Sequence, residues 1–464
     1  MKRLLPILAL LCLWVIARAG KNPLPEPDQQ SRVYRFKPVQ FKTIDSYSDE
    51  KPLLNQIARD TWGYFRDLVD KQTGMPLDNV LIGSTYTKVN SYTSTTNMGL
   101  YLMCLVSAED FGYITRTESL ARARRLLSTL REVDHWEGQF FNYYETITTD
   151  ASSRFVSSVD NGWLAAGLIV ARQAYPELES EIDPMLRQMD FSKLFDPEAG
   201  QLYLGYDADK KKPSDSHYGL LCTEPRLASY IGIAKGDLPH DHWYRLFRTL
   251  PLDWDWQNQK PKGKIVEKEG VPVFYGYYER NKVRWVPSWG GSLFEFLMPT
   301  LVLDEGRLSP KGLGANNKIA LDAQIRYALE ERRYPVWGLS PCATPDDPLG
   351  YKEYGVPYLG AKGYRDDGVV TPHVSFLALS VDAPRAIENI RRLARFRNFY
   401  GEYGFYDSIN VKTGRISPRY LALDQAMTLV ALNNYLNNGA IQKRFWSHSL
   451  IQAQSRLLRD EVFF

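Results

Sequence analysis

The chain has no long apolar run, few cysteines and almost no charge excess, and each shortage closes off a class of function. Its leading apolar stretch, Leu4 to Ile16, is about 13 residues, short of the roughly 20 that cross a bilayer as a helix. The four cysteines among 464 residues are widely spaced, so no CxxC zinc framework exists. Basic side chains outnumber acidic ones by 57 to 54. Lys2, Arg3 and Arg18 account for that difference, and without them the counts are equal, which argues against a nucleic-acid partner. There is no GxxxxGK[ST], no GxGxxG after a strand, no HExxH, no GxSxG and no EF-hand loop, so no phosphate-cradling, zincin or serine-hydrolase chemistry is expected. Neither a metal nor a cofactor is called for. His240 and His242 are two apart, off a common helical face, and read as surface residues.

The first 19 residues have the layout of a secretory signal: a Lys2-Arg3 start, the Leu4–Ile16 apolar region and Ala17-Arg18-Ala19 as a cleavage site. Export to a bacterial periplasm follows, without stable membrane insertion once the signal is removed. Leu11 before Cys12 stands where a lipoprotein signal needs a small residue. After cleavage Cys104, Cys222 and Cys342 remain; three buried thiols are expected, with a Cys222–Cys342 bridge as the alternative.

Residues 20–50, with Pro23, Pro25 and Pro27, form an extended leader. From 51 to 464 one domain follows, in which helix dominates. Leu53, Leu54, Ile57, Trp62, Phe65 and Val69 recur at helical spacing. Further helices are expected at about 95–111, 116–131, 160–175, 178–189, 217–234, 240–249, 290–303, 317–331, 372–381, 384–397, 421–436 and 438–459. A dozen helices in an unbroken domain suggest an all-α toroid, an (α/α)6 barrel. Its long loops, such as 134–158, 251–288 and 335–371, are rich in aromatics and carry a few short strands, as at 264–287.

Carboxylates recur in those loops among aromatics, glycine and asparagine. Such runs include Phe141-Asn142-Tyr143-Tyr144-Glu145, Val159-Asp160-Asn161-Gly162-Trp163, Cys222-Thr223-Glu224-Pro225-Arg226, Trp289-Gly290-Gly291-Ser292-Leu293-Phe294-Glu295, Arg365-Asp366-Asp367-Gly368 and Tyr403-Gly404-Phe405-Tyr406-Asp407. Sugar rings stack their C–H faces on aromatics and bond their hydroxyls to carboxylates and amides, so this mixture suits a glycan cleft. Glycoside hydrolysis needs one protonated and one ionised carboxyl, with surroundings that drive their pKa values apart. Taken singly, Asp160 could instead cap a helix, and Glu224 could pair with Arg226.

The runs Tyr92 to Leu102, Phe155 to Gly162, Thr223 to Tyr230, Ser288 to Pro299, Pro335 to Ser340, Gly401 to Asp407 and Leu429 to Phe445 resemble, in order, the glycoamylase-like domain of cyclic β-1,2-glucan synthases. The Tyr403–Asp407 and Leu423-Asp424-Gln425 segments are similar to those of stand-alone bacterial endo-β-1,2-glucanases. This resemblance implies an (α/α)6 barrel acting on a β-linked glucan, with Glu224 as general acid and Asp407 as base. In the synthases, which rejoin chains with retention, an upstream carboxylate matching Glu145 would be the nucleophile. Synthase domains usually have glutamate in place of Asp407 and histidine near Asp424; this chain follows the glucanases there, yet its N-terminal half keeps the synthase wording.

The resulting expectation is an exported glycoside hydrolase, endo-acting on β-1,2-glucan or a similar envelope glucan. A transglycosylase on the same glucan and a non-catalytic glucan-binding envelope protein are the alternatives. Glu224 and Asp407 are the catalytic pair, with Glu145 and Asp160 supporting or replacing them. The partner is a glucan oligosaccharide or polysaccharide, held by Trp136, Asn142, Tyr144, Arg226, Trp289, Glu295, Trp337, Asp366, Asp367, Tyr406 and Gln425. Trp163, beside Leu164 and Leu168, is assigned to the core.

Overall fold

The computed structural model describes residues 41–464 except 45, 84–86, 348 and 349. The signal at 1–19 and most of the leader, 20–40, lie outside the described residues. Helices α1 (Glu50–Asp67), α2 (Thr95–Asp110), α3 (Arg116–Glu132), α4 (Ser158–Ala174), α5 (Glu179–Gln188) and α6 (Arg226–Lys235) make up the first half. Helices α7 (Leu293–Leu297), α8 (Leu313–Arg326), α9 (His373–Leu377), α10 (Ala383–Ala394), α11 (Ala422–Leu436) and α12 (Ala440–Ser447) follow.

These helices are of two kinds. In α2 every residue from Thr95 to Ala108 is buried, and α4 and α11 are nearly as enclosed. A helix apolar all round belongs inside a protein, whereas one with a single apolar stripe covers it. Helix α10 is of the second kind, burying Ala386, Ile387, Asn389, Ile390 and Leu393. The enclosed helices pack in a circuit: α2 on α4, α4 on α6, α7 on α9, α9 on α11, and α11 back on α2. Arg226 closes the remaining step, donating from α6 to the carbonyls of Glu295 and Phe296 at 3.0 and 2.6 Å. Helices α1, α3, α5, α8 and α10 pack against this circuit.

Glycine sets how closely the enclosed helices approach. A Cβ on Gly167 of α4 would lie 2.1 Å from the Gly99 carbonyl oxygen of α2, and one on Gly162 would lie 2.6 Å from the Ala228 Cβ of α6. Trp163, 1% exposed, fills the core beside them. One apolar cluster runs from Ile44 to Phe463, joining the first and last described segments.

The strands are short and antiparallel, and several lead straight into enclosed helices. Tyr92–Ser94 precedes α2 and pairs with Tyr143–Glu145. Phe155–Ser157 precedes α4 and pairs with Gly205–Asp207. Arg419–Leu421 precedes α11 and pairs with Asn79–Ile82. The loops are thus stitched together where the enclosed helices begin. The 264–287 segment holds the longest strands, Lys262–Lys268 and Val271–Arg280, with Val283–Trp285 beside them. No sheet closes on itself among the described residues.

Some expected elements are shorter or broken. The 217–234 helix starts only at Arg226, because Pro225 stands at its head and residues 221–225 before it run through turns. Residues 240–249 hold a single helical turn, His242–Arg245. The 438–459 stretch is three short helices, α12, Ser449–Ala453 and Arg456–Arg459. His242 is no surface residue: it is fully buried, with Nδ1 2.8 Å from the Gly200 carbonyl and Nε2 2.8 Å from Ser229 Oγ. Burial pushes it down to about 4, so it stays neutral. All three described cysteines are free and buried, so Cys222 and Cys342 are not bridged.

Candidate active site

The candidate residues gather at the N-terminal ends of the enclosed helices. Ser94 caps α2, accepting from the Asn97 N–H at 3.0 Å, and the chain reaches it along the Tyr92–Ser94 strand. Ser157 caps α4, so Asp160 is a first-turn residue and not the cap. Glu224 sits two residues before Arg226, the first residue of α6. Asp424 is in the first turn of α11.

The first turn of α2 joins two groups of carboxyls. Thr96 donates to Asp160 Oδ1 at 2.6 Å. Asn97 donates to Asp78 Oδ1 at 2.9 Å. On the Asp160 side stands Glu224, whose carboxyl is pushed up to about 8 by burial and then by the neighbouring negative charges of Glu295 and Asp160, with Arg226 opposing. A carboxyl with such a value is protonated at neutral pH, the state a general acid requires. Asp160 is itself raised by burial, although bonds from Ser157 and Thr96 favour its charge.

On the Asp78 side stand Asp407 and Asp424, both buried and within hydrogen-bonding reach of each other. Burial and the Asp424 charge hold Asp407 well above the usual carboxylate range. Burial raises Asp424 to about 7. Two carboxyls this close share one proton, because both cannot ionise in so little solvent. Asp407 Oδ2 accepts the Ala343 N–H at 2.6 Å, which favours placing the negative charge there. His373, pushed down to about 4 by burial, is neutral; its Nδ1 lies 2.9 Å from Asp424 Oδ2 and 2.8 Å from Thr371 Oγ1. Tyr406, Asp407, Asp424, Gln425 and His373 line one small cavity of about 10 Å³, the size that admits a water. Gln425 Oε1 has no hydrogen-bond donor among the described residues, and apart from the shared proton none reaches Asp407 Oδ1.

Asp78, His373, Asp424 and Arg419 were not singled out from sequence as site residues. Arg419 is 5% exposed and its Nε has no partner among the described residues, while Asp407, Tyr92 and Asp78 hold its charge against the pull of burial. Leu421, two residues on, leads directly into α11, so a basic residue three positions before a buried helix is the available signal.

Several expected sugar contacts are corrected by burial or by full bonding. Arg226 is fully buried and spends its guanidinium on Glu305, at 2.7 and 2.9 Å, and on three carbonyls, so it positions the Glu224 segment and cannot reach a sugar. Glu224 is therefore not its ion-pair partner. Glu295 accepts from Ser288, Gly290 and Ser292, closing a capping box on α7. Its charge reaches Glu224 but its oxygens are occupied. Tyr144 and Trp337 are 0% and 2% exposed and pack in the core. Asp366 accepts from Tyr327, Tyr334, Arg332 and the Gly368 N–H, so it anchors a loop.

Others remain open to solvent in part. Trp136 stacks on Tyr206 with centroids 4.0 Å apart. Glu145 lies between Ser91 and Ser152 and is raised by burial. Asn142 leaves its Oδ1 without a donor. Asp367 pairs with Arg365 at 2.8 Å. Trp289 has Lys362 Nζ 5.7 Å from its ring. The contacts of Trp136, Asp366 and Asp367 are with these partners, not with Glu224 or Asp407.

Two family models match the chain in succession. Residues 56–221 match DUF3131, a protein family of unknown function, and residues 274–449 match the Glycoamylase model, described as "Putative glucoamylase". Asp407 lies within the second match, and Glu224 falls between the two. Residues 274–449 are thus similar to that glucoamylase family. Among curated proteins it is 26% identical to the cyclic β-(1,2)-glucan synthase NdvB of Rhizobium meliloti, across 88% of this chain and 18% of that protein. It is 22% identical to the exo β-1,2-glucooligosaccharide sophorohydrolase of Parabacteroides distasonis, across 87% of this chain and 57% of that one. It therefore spans less than two thirds of either relative. Among solved structures, the endo-β-1,2-glucanase of Chitinophaga pinensis, in complex with sophorotriose and glucose, superposes with a TM-score of 0.69 at 18% identity, covering 89% of this chain and 98% of that one. A β-1,2-glucanase of Parabacteroides distasonis gives 0.71 at 19% identity, covering 89% of this chain and 61% of that one.

Proposed function

We propose that this chain is a glycoside hydrolase that cuts β-1,2-linked glucan within the chain. Glu224 protonates the leaving oxygen, and Asp407 takes the proton of the attacking water, directly or through a substrate hydroxyl. The observation that carries this reading is the contrast between two carboxyl environments on either side of the first turn of α2. Glu224 is kept protonated by burial and by like charges. The Asp407–Asp424 pair keeps one proton for two carboxyls and so retains one negative charge that can accept another. The names of the relatives favour β-1,2-glucan over other linkages.

In this reading residues 51–464 form one catalytic domain, and the circuit of enclosed helices is the inner layer of an (α/α)6 barrel with its cleft at their N-terminal ends. The 1–19 segment directs the protein to the periplasm. The test is incubation with linear β-1,2-, β-1,3-, β-1,4- and β-1,6-glucans, with products separated by chromatography. New reducing ends from the β-1,2 polymer alone, abolished in Glu224→Gln with the fold intact, are expected. Longer or cyclic products without net hydrolysis would make it a transglycosylase instead. Binding without any product, unaffected by Glu224→Gln, would make it a glucan-binding protein and refute the enzyme.

A further inference from the structure

The loop from Pro251 to Lys260 carries large apolar side chains that nothing in the described chain covers. Leu252 and Trp256 are each 52% exposed, and Trp254 is 40% exposed. The backbone beneath them is fixed. Asn258 donates from its N–H to the Ala361 carbonyl at 2.7 Å and from its amide to the Pro357 and Gly360 carbonyls at 2.6 and 2.9 Å. Gln257 donates to the Pro251 and Trp254 carbonyls and accepts from the Tyr278 hydroxyl at 2.9 Å. Exposed rings on an anchored loop mark a binding surface.

The rings also form a line. Phe247 meets Trp254 at 6.3 Å, Trp254 stacks on Trp256 at 5.8 Å, and Trp256 meets Trp289 edge-on at 5.8 Å. Trp289 stands three residues before Ser292, the cap of α7, and Glu295 of that capping box is the neighbour that most raises Glu224 after burial itself. At its other end the Phe247 carbonyl accepts the Leu221 N–H at 2.9 Å, three residues before Glu224, so both ends of the lane rest on segments that lead to the proposed acid. Two glycines hold its inner end against the next loop: a Cβ on Gly290 would lie 2.0 Å from the Tyr364 ring, and Gly291, at φ 80°, would meet the Val356 oxygen at 2.2 Å.

We propose that Trp254, Trp256 and Trp289 form a second binding surface, which holds sugar units of a β-glucan chain beyond those at the cleavage point. Indole faces stack on the C–H faces of pyranose rings, and a neutral polymer needs no matching charge. Asp253 and Asp255 alternate with the exposed tryptophans, and such negative charge opposes an anionic lipid surface. The inference rests on the glucanase reading of the Glu224 site.

The experiment measures binding of β-1,2-glucan to the Glu224→Gln protein, which cannot turn it over, using a trisaccharide and a long linear chain as probes. In the same background Trp254→Ala/Trp256→Ala is expected to weaken long-chain binding about tenfold and the trisaccharide by less than about twofold. Trp256→Tyr with Trp254 intact, which keeps both rings, restores long-chain binding. Equal effects on the two probes, or none on either, overturn the lane while leaving the catalytic reading standing. Failure of the Glu224→Gln protein to bind any β-glucan overturns both. Unchanged glucan binding with lost sedimentation on phosphatidylglycerol vesicles would make the surface a membrane contact and overturn the proposal.

Discussion

Replacing Asp424 with asparagine should keep turnover and leave the acid limb of the pH–rate profile within about one unit of its native position. Asp407 accepts a proton only in the form that holds one proton on the pair, so kcat/KM should rise as the pair loses its first proton, near the value of about 7 held by Asp424. It should fall as Glu224 loses its proton near about 8. The native profile is thus a narrow bell. The Asp424→Asn change would keep the shape of the side chain and remove its titratable proton. Two carboxylates about 4 Å apart, at an effective dielectric near 20, repel by about 4 kcal/mol, or roughly three pK units, and that repulsion opposes loss of the pair's second proton and not of its first. The new amide can donate to Asp407 in place of the shared proton. Asp424 carries no charge while it holds the shared proton, and burial of Asp407 is the same in the variant, so the acid limb should move by less than about one unit.

The neighbours of the pair set the control. His373 is neutral, and Asp78, Arg419, Cys342 and Tyr351 are the other titratable or charged groups that act on these two carboxyls or respond to them. None changes in the variant, so the Glu224 limb should stay in place and the bell should keep its width to within about one unit. The assay is initial rate on linear β-1,2-glucan from pH 4 to 9. An acid limb that falls by about three units would show Asp424 charged beside Asp407 and refute the shared proton. Full activity in Asp407→Asn would refute the base itself.

Three further outcomes follow from the same contacts. A carboxyl raised from 4.5 to about 8 on folding keeps its proton while the unfolded chain loses it, so stability falls as pH rises between those values. Glu224→Gln should abolish that slope and gain up to ~3 kcal/mol at pH 7, read by urea unfolding at pH 5 and pH 8. Arg226→Met strands the buried Glu305 carboxylate and should lower stability by about 3 to 5 kcal/mol, with Glu305→Leu in the same chain recovering part of it. Gly167→Ala, whose Cβ would press on the Gly99 oxygen, should cost about 1 to 3 kcal/mol in the same assay, whereas Gly112→Ala meets no atom within 4 Å and loses only what its φ of 69° imposes.

What could be read from sequence follows how each feature is encoded. The enclosed helices are continuous apolar runs with small residues at contact positions, and α2 and α11 fall within a residue of the expected bounds. The helices that fail, at 217–234 and 240–249, are stretches where aromatic and aliphatic residues are buried by loops, so apolar periodicity there reports burial and not helix. The carboxyls themselves stood out because glycine, asparagine and aromatics surround them. Their division of labour did not, since it depends on residues distant in sequence: Asp160 and Glu295 acting on Glu224, and Asp424 sharing a proton with Asp407. Arg226 shows the same limit from the other side. It reads as a sugar ligand or as the partner of Glu224, and only folding brings Glu305, 79 positions away, to take its guanidinium. That exchange matters to the chemistry. Had Arg226 paired with Glu224, its positive charge would have favoured the ionised carboxyl and lowered its pKa. Because Glu305 holds the arginine, the same residue anchors the Glu224 segment to α7 while the carboxyl beside it stays free to carry a proton.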